Sequence, residues 1–142
     1  MKINFSGAKV WDKRFGGSTL DNCYGVTATA GGGFLLAGRS NSSADGDKSE
    51  ASRGGYDMWV VKINASGAKV WDKRFGGTDQ EYCYAVVATT DGGYLLAGYS
   101  QSPADGDKTE ASRGGDDFWA VKIGADGNLT QPLVATDSDG DN

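Results

Sequence analysis

The sequence predicts an all-β fold made of two similar four-stranded antiparallel units. The chain repeats itself at an offset of about 60 residues, since parts of the segment 57–77 recur at 2–17 and at 117–123. Each repeat consists of short apolar or aromatic runs separated by turn residues, and 23 of the 142 residues are glycine. Short runs bounded by glycine are typical of strands and hairpins, and a repeat of this period is typical of stacked units.

The strands follow in a fixed order within each repeat. The first repeat predicts strands over 23–29, 33–38, 58–63 and 68–75, and the first three recur at 83–89, 93–98 and 117–123. The N-terminal residues 1–5 match the end of a third strand, and 8–15 match the fourth. The consecutive charges Asp12, Lys13 and Arg14 favour an exposed edge for that fourth strand.

The four strands differ in polarity along each repeat. The first two are apolar on both faces, the third is half apolar, and the fourth combines charges with aromatic residues. This gradient is expected of a β-propeller blade, whose first strand lines the central axis and whose fourth lies at the rim. A β-sandwich or a β-solenoid remains an alternative, although a sandwich favours alternation in most strands.

The repeat also resembles the β-propeller repeats of bacterial and archaeal exported and surface proteins, which are distantly similar to NHL-type blades. The resemblance covers nearly all of residues 2–123 and rests on two motifs. They read Asp57-x-Trp59-Val60-Val61-Lys62-Ile63 with Gly67, Trp71, Phe75, Gly76 and Gly77, then Tyr84-x-Val86 with Thr89, Gly92, Gly93, Tyr94, Ala97 and Gly98. It implies a binding or adhesion scaffold of extracellular or cell-surface location, and no catalytic residue. Family members carry many blades, whereas this chain has two near-identical copies, as after a recent duplication or in an engineered protein.

Counting strands predicts how the chain assembles. Residues 18–77 form one blade, 78–128 form a second blade without its matching outer strand, and 1–17 supply an outer-strand clasp. Two blades cannot close a ring, so a homo-oligomer is expected, either a trimer with six blades or a tetramer with eight. An exposed blade face of several hundred Å² would forfeit on the order of 10 kcal/mol, at about 25 cal/mol per Å². The alternatives are a fragment of a longer propeller, or replacement of the clasp by 129–136 from the divergent segment 129–142.

Composition excludes several functions. The net charge of −5 argues against nucleic acid, and no apolar run is long enough to span a membrane. No export signal is visible at the N-terminus. Histidine is absent, which removes the usual general base and every Ser-His or Cys-His mechanism. The two cysteines, Cys23 and Cys83, are expected to be buried thiols without a disulfide.

The long connections 39–57 and 99–117 are the expected binding surface, because loops on a rigid scaffold usually carry recognition. Each contains alternating oxygen ligands of the kind found in calcium loops. The candidate ligands are Asp45, Asp47, Ser49 and Glu50 in the first copy and Asp105, Asp107, Thr109 and Glu110 in the second. Neither copy has the sixth-position glycine or the twelfth-position glutamate of an EF-hand. The alternative is a solvated turn whose aspartates bond to their own backbone.

Four further residues are candidates for ligand contact. Arg39 and Tyr99 stand at equivalent positions beside the long loops but differ between the copies. Arg53 and Arg113 precede Gly-Gly pairs that fit either an anion-binding nest or a simple turn. The four tryptophans lie within predicted strands, which favours blade packing over sugar stacking.

The sequence therefore predicts a non-catalytic module that assembles into a closed propeller ring and serves as a binding or structural scaffold. The alternative is a multivalent, calcium-dependent lectin or adhesin that binds glycans through the long loops. An enzyme using loop carboxylates such as Asp45, Glu50 and Asp57 is a third hypothesis, but no motif supports it.

Overall fold

A computed structural model describes residues 1–130 of the chain as nine β-strands in three antiparallel sheets, with no helix in that range. β1 and β2 form a two-stranded sheet, β3–β6 a four-stranded sheet, and β7–β9 a three-stranded sheet, each in chain order. The strands are β1 (Lys2–Ile3), β2 (Lys9–Trp11), β3 (Asp21–Ala28), β4 (Phe34–Ser40), β5 (Asp57–Ile63), β6 (Lys69–Phe75), β7 (Glu81–Ala88), β8 (Tyr94–Ser100) and β9 (Asp117–Ile123). The prediction of an all-β fold is confirmed.

The two repeats have the same internal register. Val26 pairs with Leu36 in the first repeat, and Val86 pairs with Leu96 in the second. Both first strands carry an irregularity two residues after their start, between Cys23 and Gly25 and between Cys83 and Ala85. Identical sequence patterns thus give identical strand pairing, because hairpin register is set by local turn geometry and by the apolar pattern.

The turn between β5 and β6 illustrates how the hairpins are fixed. The side-chain oxygen Oδ1 of Asn64 accepts hydrogen bonds from the backbone N–H groups of Ser66 and Ala68, at 3.0 Å and 2.9 Å. Gly67 then adopts a φ of 83°, a left-handed conformation that favours glycine. Asn4 and Gly7 repeat this arrangement between β1 and β2, so the N-terminal hairpin copies the end of the first repeat.

The four-stranded sheet carries an apolar core on each face. One face packs against the three-stranded sheet in a core built around Leu35, Met58, Val60, Val86 and Leu96. The other face carries a second core, where Trp59, Val61 and Ile63 lie with Trp11, Phe15, Phe34 and Leu36. The third strand, β5, is therefore the most buried of the chain, because it lies between both cores.

Several sequence-based expectations differ from the structure. The prediction of four strands in each of two blades is wrong for the second repeat, because its sheet ends at β9 within residues 1–130. After β9 the chain turns and makes one bridge, between Ile123 and Leu129. The predicted N-terminal strand 8–15 is a strand only over Lys9–Trp11, because the two residues of β1 are all that it pairs with. The single chain closes no ring. The predicted strand at 129–136 lies almost entirely outside the described residues.

The expectation of two buried thiols holds for only one of them. Cys83 is buried in the core between the sheets, whereas Cys23 is exposed. Burial also raises the pKa of the Cys83 thiol to about 11, so this group stays protonated and unreactive at neutral pH. The difference arises because a sheet packs over β7 but nothing in the described chain packs over Cys23.

Candidate functional site

The long loop of the first repeat is held together from inside by a buried lysine. The ammonium group of Lys48 donates hydrogen bonds to the carbonyl oxygen of Ser42 at 2.9 Å and to the hydroxyl of Ser52 at 2.6 Å. Burial lowers the pKa of Lys48, although nearby carboxylates oppose this effect. Lys108 makes the same two contacts in the second repeat, at 2.8 Å and 2.5 Å. In both long loops, hydrogen bonds from a buried lysine therefore hold the loop in a fixed conformation.

The aspartates of the predicted calcium loops bind backbone N–H groups of a neighbouring loop. Asp45 Oδ1 accepts from Ser18 N at 2.9 Å, and Asp47 Oδ2 accepts from Gly16 N at 3.0 Å. Asp105 and Asp107 make the equivalent contacts with Thr78 and Gly76. The described residues contain no group of three or more His, Cys, Asp or Glu side chains that could hold a metal ion. Calcium binding stays a prediction, and the observed contacts assign these carboxylates to loop closure.

The remaining two predicted metal ligands of the first loop hold the outer strand β6. Ser49 donates through its backbone N and its hydroxyl to the carboxylate of Asp72, at 2.8 Å and 2.5 Å. Glu50 accepts from the backbone N of Arg74 at 3.4 Å and from its guanidinium at 3.3 Å. Trp59 adds a hydrogen bond from its indole nitrogen to Asp72, at 3.0 Å. Ser49 and Glu50 of the loop and Trp59 of β5 thus form a binding site for β6, which we call the socket.

Within residues 1–130, the second repeat presents the same socket without a strand in it. Thr109, Glu110 and Trp119 stand at the positions of Ser49, Glu50 and Trp59. Thr109 and Glu110 are exposed, and the space beside β9 is an open cleft of about 720 Å³. The cleft is lined by Lys108, Thr109, Glu110, Ala111, Arg113, Asp116, Asp117, Phe118, Trp119 and Ala120.

The N-terminal hairpin carries the sequence that fits such a socket. Residues 12–15 read Asp-Lys-Arg-Phe, as do residues 72–75 of β6. The side chain of Asp12 is exposed and pairs only with Lys9 among the described residues, at 3.0 Å. Trp11 anchors the hairpin to the four-stranded sheet, because its indole nitrogen donates to Ala65 O at 3.1 Å and its ring lies 6.5 Å from that of Phe34.

The two end faces of the chain are exposed copies of its internal junction. Leu35 and Met58 are both 0% exposed at the internal junction, but their counterparts Leu95 and Phe118 are 36% and 101% exposed. Val86 is 7% exposed on the other side of that junction, and its counterpart Val26 is 59% exposed. Each end thus displays one half of a contact that the chain buries between its own sheets.

The predicted ligand residues Arg39 and Tyr99 lie in one aromatic cluster. The guanidinium of Arg39 lies beside two rings, 4.2 Å from the centre of Tyr56 and 4.1 Å from that of Tyr82. Tyr82 also packs against Tyr99 at 4.6 Å. Burial raises the pKa of Tyr99, and its contact with Tyr82 adds to this effect. The Arg39 guanidinium therefore already contacts two aromatic rings within the protein. Glycan or other ligand binding by this cluster stays a prediction.

The two predicted nest arginines are used differently. Arg53 Nη1 lies 2.6 Å from Asp107 Oδ2 and donates to Gly76 O at 2.9 Å, so it joins the first loop to the second. Arg113 is exposed, and its backbone N donates to Asp117 at 2.6 Å. The structure therefore does not bring the two arginines into one site.

Sequence reasoning missed the pair of buried carboxylates at Asp57 and Glu81. Both side chains are fully buried near Gly76, at the junction of the two larger sheets. The sequence did contain a signal for this pair. A carboxylate begins the first strand of both repeats, at Asp21 and Glu81, and another begins the third strand of both repeats, at Asp57 and Asp117.

Comparison with known proteins adds no assignment. No protein-family model matches the chain, and a search of curated proteins finds no significant match. Among the described residues, no helix is long and apolar enough to cross a membrane.

Proposed function

We propose that this protein is a non-catalytic, self-assembling scaffold in which copies of the chain stack into a closed β-propeller ring. The supporting observation is the match between the internal junction and the two exposed ends. Leu35 and Met58 are buried against Val86, while Leu95, Phe118 and Val26 are the same positions, exposed in the described part of the chain. Joining one end to the other repeats a contact that the fold already makes once.

The chemistry of the ends supports a second copy of this chain as the partner. The end near β9 exposes apolar side chains at Leu95, Ala97 and Phe118, and the end near β3 exposes Val26 beside the half-buried Phe34 and Leu36. Clustered exposed apolar side chains of this kind often mark a protein–protein contact. Because the two ends differ, the contact is head to tail, and a head-to-tail contact closes into a ring when the rotation allows it.

The open socket beside β9 supports the same partner. Residues 9–15 of a neighbouring copy repeat residues 69–75, so Asp12 would meet Thr109 and Trp119 as Asp72 meets Ser49 and Trp59. Arg14 would meet Glu110 as Arg74 meets Glu50. The same neighbour's Val26 face then covers Phe118. One copy therefore completes the sheet and covers it in a single contact.

The chain's own C-terminal segment is a poorer match for this socket. Counting along the sequence from Leu129, which bridges Ile123 as Lys69 pairs with Ile63, position 132 corresponds to Asp72. That position is Pro132, which has neither a carboxylate for Trp119 nor an N–H for the strand ladder. Position 134 is Val134, where the first repeat has Arg74.

Entry of a neighbour's strand requires a small local change. Lys2 pairs with Trp11 and Ile3 pairs with Lys9, as Lys62 and Ile63 pair with β6. In the ring, β9 of one copy would pair with β2 of the next copy. It would take the place of that copy's own β1, so β1 has to move away from β2. Only two residues pair in β1, and the released ladder contacts are replaced by those of a seven-residue strand.

The mass of the assembly tests this function. Native mass spectrometry and light scattering at micromolar concentration are expected to give three or four chain masses, corresponding to six or eight blades. A monomeric mass under both methods would overturn the proposal. A large, polydisperse species would contradict ring closure, because it would mean that the head-to-tail contact forms open chains.

A further inference from the structure

Two acidic side chains meet in the interior, at the junction between the four-stranded and three-stranded sheets. Asp57 begins β5, Glu81 begins β7, and both residues are 0% exposed. Buried carboxylates are rare unless they are paired with a cation or bonded to donors. The surroundings of these two carboxylates therefore decide what they do.

Glu81 is well supplied with donors. Its Oε1 accepts from the backbone N of Gly77 at 2.8 Å, and its Oε2 accepts from the hydroxyl of Ser100 at 2.6 Å and from that of Ser102. Three donors of this kind stabilise the charged form of a carboxylate. Both carboxylate oxygens of Glu81 thus have donors in the interior.

Only one of the two carboxylate oxygens of Asp57 accepts a hydrogen bond from the described residues. Its Oδ2 accepts from the backbone N of Arg53 at 2.7 Å, but its Oδ1 has no hydrogen-bond partner among residues 1–130. A buried, unpaired carboxylate oxygen is costly when the group is charged, and much less costly when it carries a proton that it can donate.

The unpaired oxygen lies near the carboxylate of Glu81. Asp57 Oδ1 and Glu81 Oε1 each lie 2.6 Å from the point that a Cβ on Gly76 would occupy. The two oxygens are therefore no more than twice that distance apart. The absence of a side chain at Gly76 leaves room for the two groups to approach each other.

Three cations lie near this pair. The Arg53 guanidinium donates to Gly76 O at 2.9 Å and pairs with Asp107 Oδ2 at 2.6 Å. Lys48 and Arg74 both favour the charged form of Asp57. Lys48 donates to Ser42 and Ser52, whereas Arg74 donates to Glu50 and Ala51. In the described chain, neither donates a hydrogen bond to Asp57.

We propose that Asp57 and Glu81 share one proton, and that this makes the junction between the two sheets a pH-responsive contact that strengthens in mildly acidic solution. One proton from solvent binds Asp57 Oδ1, which then donates it in a hydrogen bond to Glu81 Oε1. Loss of that proton returns it to solvent and leaves two buried negative charges facing each other. Two close carboxylates hold a shared proton for this reason, and they titrate as a pair.

The direction of the pH effect follows from the Asp57 carboxyl. The pKa of Asp57 is raised to about 6, mainly by burial and in part by the charge of Glu81, while the Arg53 N–H, Arg74 and Lys48 oppose both effects. A carboxyl whose pKa is higher in the folded chain than in the unfolded chain stabilises the fold at low pH. That contribution is lost as the pH rises through about 6.

The same device recurs at the proposed ring closure, and this extension rests on the proposed function. By the repeat, Asp117 of one copy would lie beside Asp21 of the next, as Asp57 lies beside Glu81. Gly16 stands at the position of Gly76, and a Cβ there would lie 3.0 Å from Asp21 Oδ2. Acidic solution is then expected to favour ring closure as well.

Thermal melting at several pH values tests the pair itself. Between about pH 5 and about pH 7.5 we expect the Tm of the natural chain to fall by about 5 °C or more, and that of Asp57→Asn to fall by less than half as much. Asp79→Asn, which changes a neighbouring exposed carboxylate, is the control and should keep the natural slope. An equal slope in Asp57→Asn and the natural chain would overturn the proposal.

Two further measurements keep the test decisive. If Asp57→Asn does not fold, the carboxyl carbons of the natural chain are titrated by NMR, where one Asp should titrate near pH 6 together with a shift at Glu81. Titration of every carboxyl below about pH 5 would refute the shared proton. Repeating the melts in a Phe118→Lys background separates the pair from assembly, since the pair lies within one chain whether or not rings form.

Discussion

The indole nitrogen of Trp59 donates a hydrogen bond to Asp72 Oδ2 at 3.0 Å, which joins the third strand of the first repeat to its fourth. The same carboxylate accepts from Ser49 on the long loop and from Lys69 on its own strand. Asp72 therefore ties loop, third strand and outer strand together. Trp119 has the same position in the second repeat, where the described chain supplies no such carboxylate.

Asp72→Asn and Asp12→Asn should separate folding from assembly. Asp72→Asn leaves the Ser49 and Trp59 donors with a weaker partner, so we expect a loss of about 2 kcal/mol in the free energy of unfolding. Asp12 is exposed, so its change should leave that free energy within about 0.5 kcal/mol. It should instead lower the fraction of assembled protein. Urea unfolding and native mass spectrometry measure the two effects, and equal losses of stability would argue against the assigned roles.

Asp72 should also contribute to acid denaturation. Burial opposes ionisation, but hydrogen bonds from Ser49, Lys69 and Trp59 outweigh it and hold the pKa of Asp72 below its usual value of 3.8. A carboxyl whose pKa is lowered by folding stabilises the protein above its unfolded pKa, and this stability is lost as the pH falls. We expect Asp72→Asn to flatten the stability loss below about pH 4, measured by circular dichroism. An unchanged acid transition would contradict this role.

Met58→Lys and Phe118→Lys form a matched pair across the repeat. Met58 is fully buried, so a lysine there places an unpaired charge in the core and should prevent folding. Phe118 is fully exposed in the single chain, so its lysine variant should fold with a Tm within a few degrees of a monomeric natural chain. The Phe118 variant should remain monomeric in light scattering at concentrations where the natural chain assembles. Assembly of this variant would show that the β9 face is not the contact.

Gly76→Ala should destabilise the chain, whereas Gly114→Ala should not. A Cβ on Gly76 would lie 2.6 Å from an oxygen of Asp57 and from one of Glu81, closer than a real contact allows. Forcing these buried groups apart is expected to cost about 1 to 3 kcal/mol. Gly114 has nothing within 4 Å of its added Cβ and serves as the control. Equal unfolding free energies for both variants in urea would show that the carboxylates move aside without cost.

The strands of the first repeat were predicted to within two residues because their signals are local. The predicted third and fourth strands, 58–63 and 68–75, agree with β5 (Asp57–Ile63) and β6 (Lys69–Phe75) to within one residue. The roles of Asp45 and Asp47 could not be obtained in this way. Their alternating spacing is typical of cation ligands, but their partners, Ser18 and Gly16, lie some 30 residues away in the sequence. Only folding brings those N–H groups to the carboxylates.

The sequence by itself determined the repeat, the strand order and the copy of the outer strand at the N-terminus, because these depend on residue type and spacing along the chain. The tertiary structure decided which copy of each residue is buried. Val86 and Val26 occupy the same position in their repeats, yet only Val86 is covered. Burial depends on what lies opposite a residue in space, and the two repeats have different neighbours. For the same reason, only the structure brought Asp57 and Glu81 together.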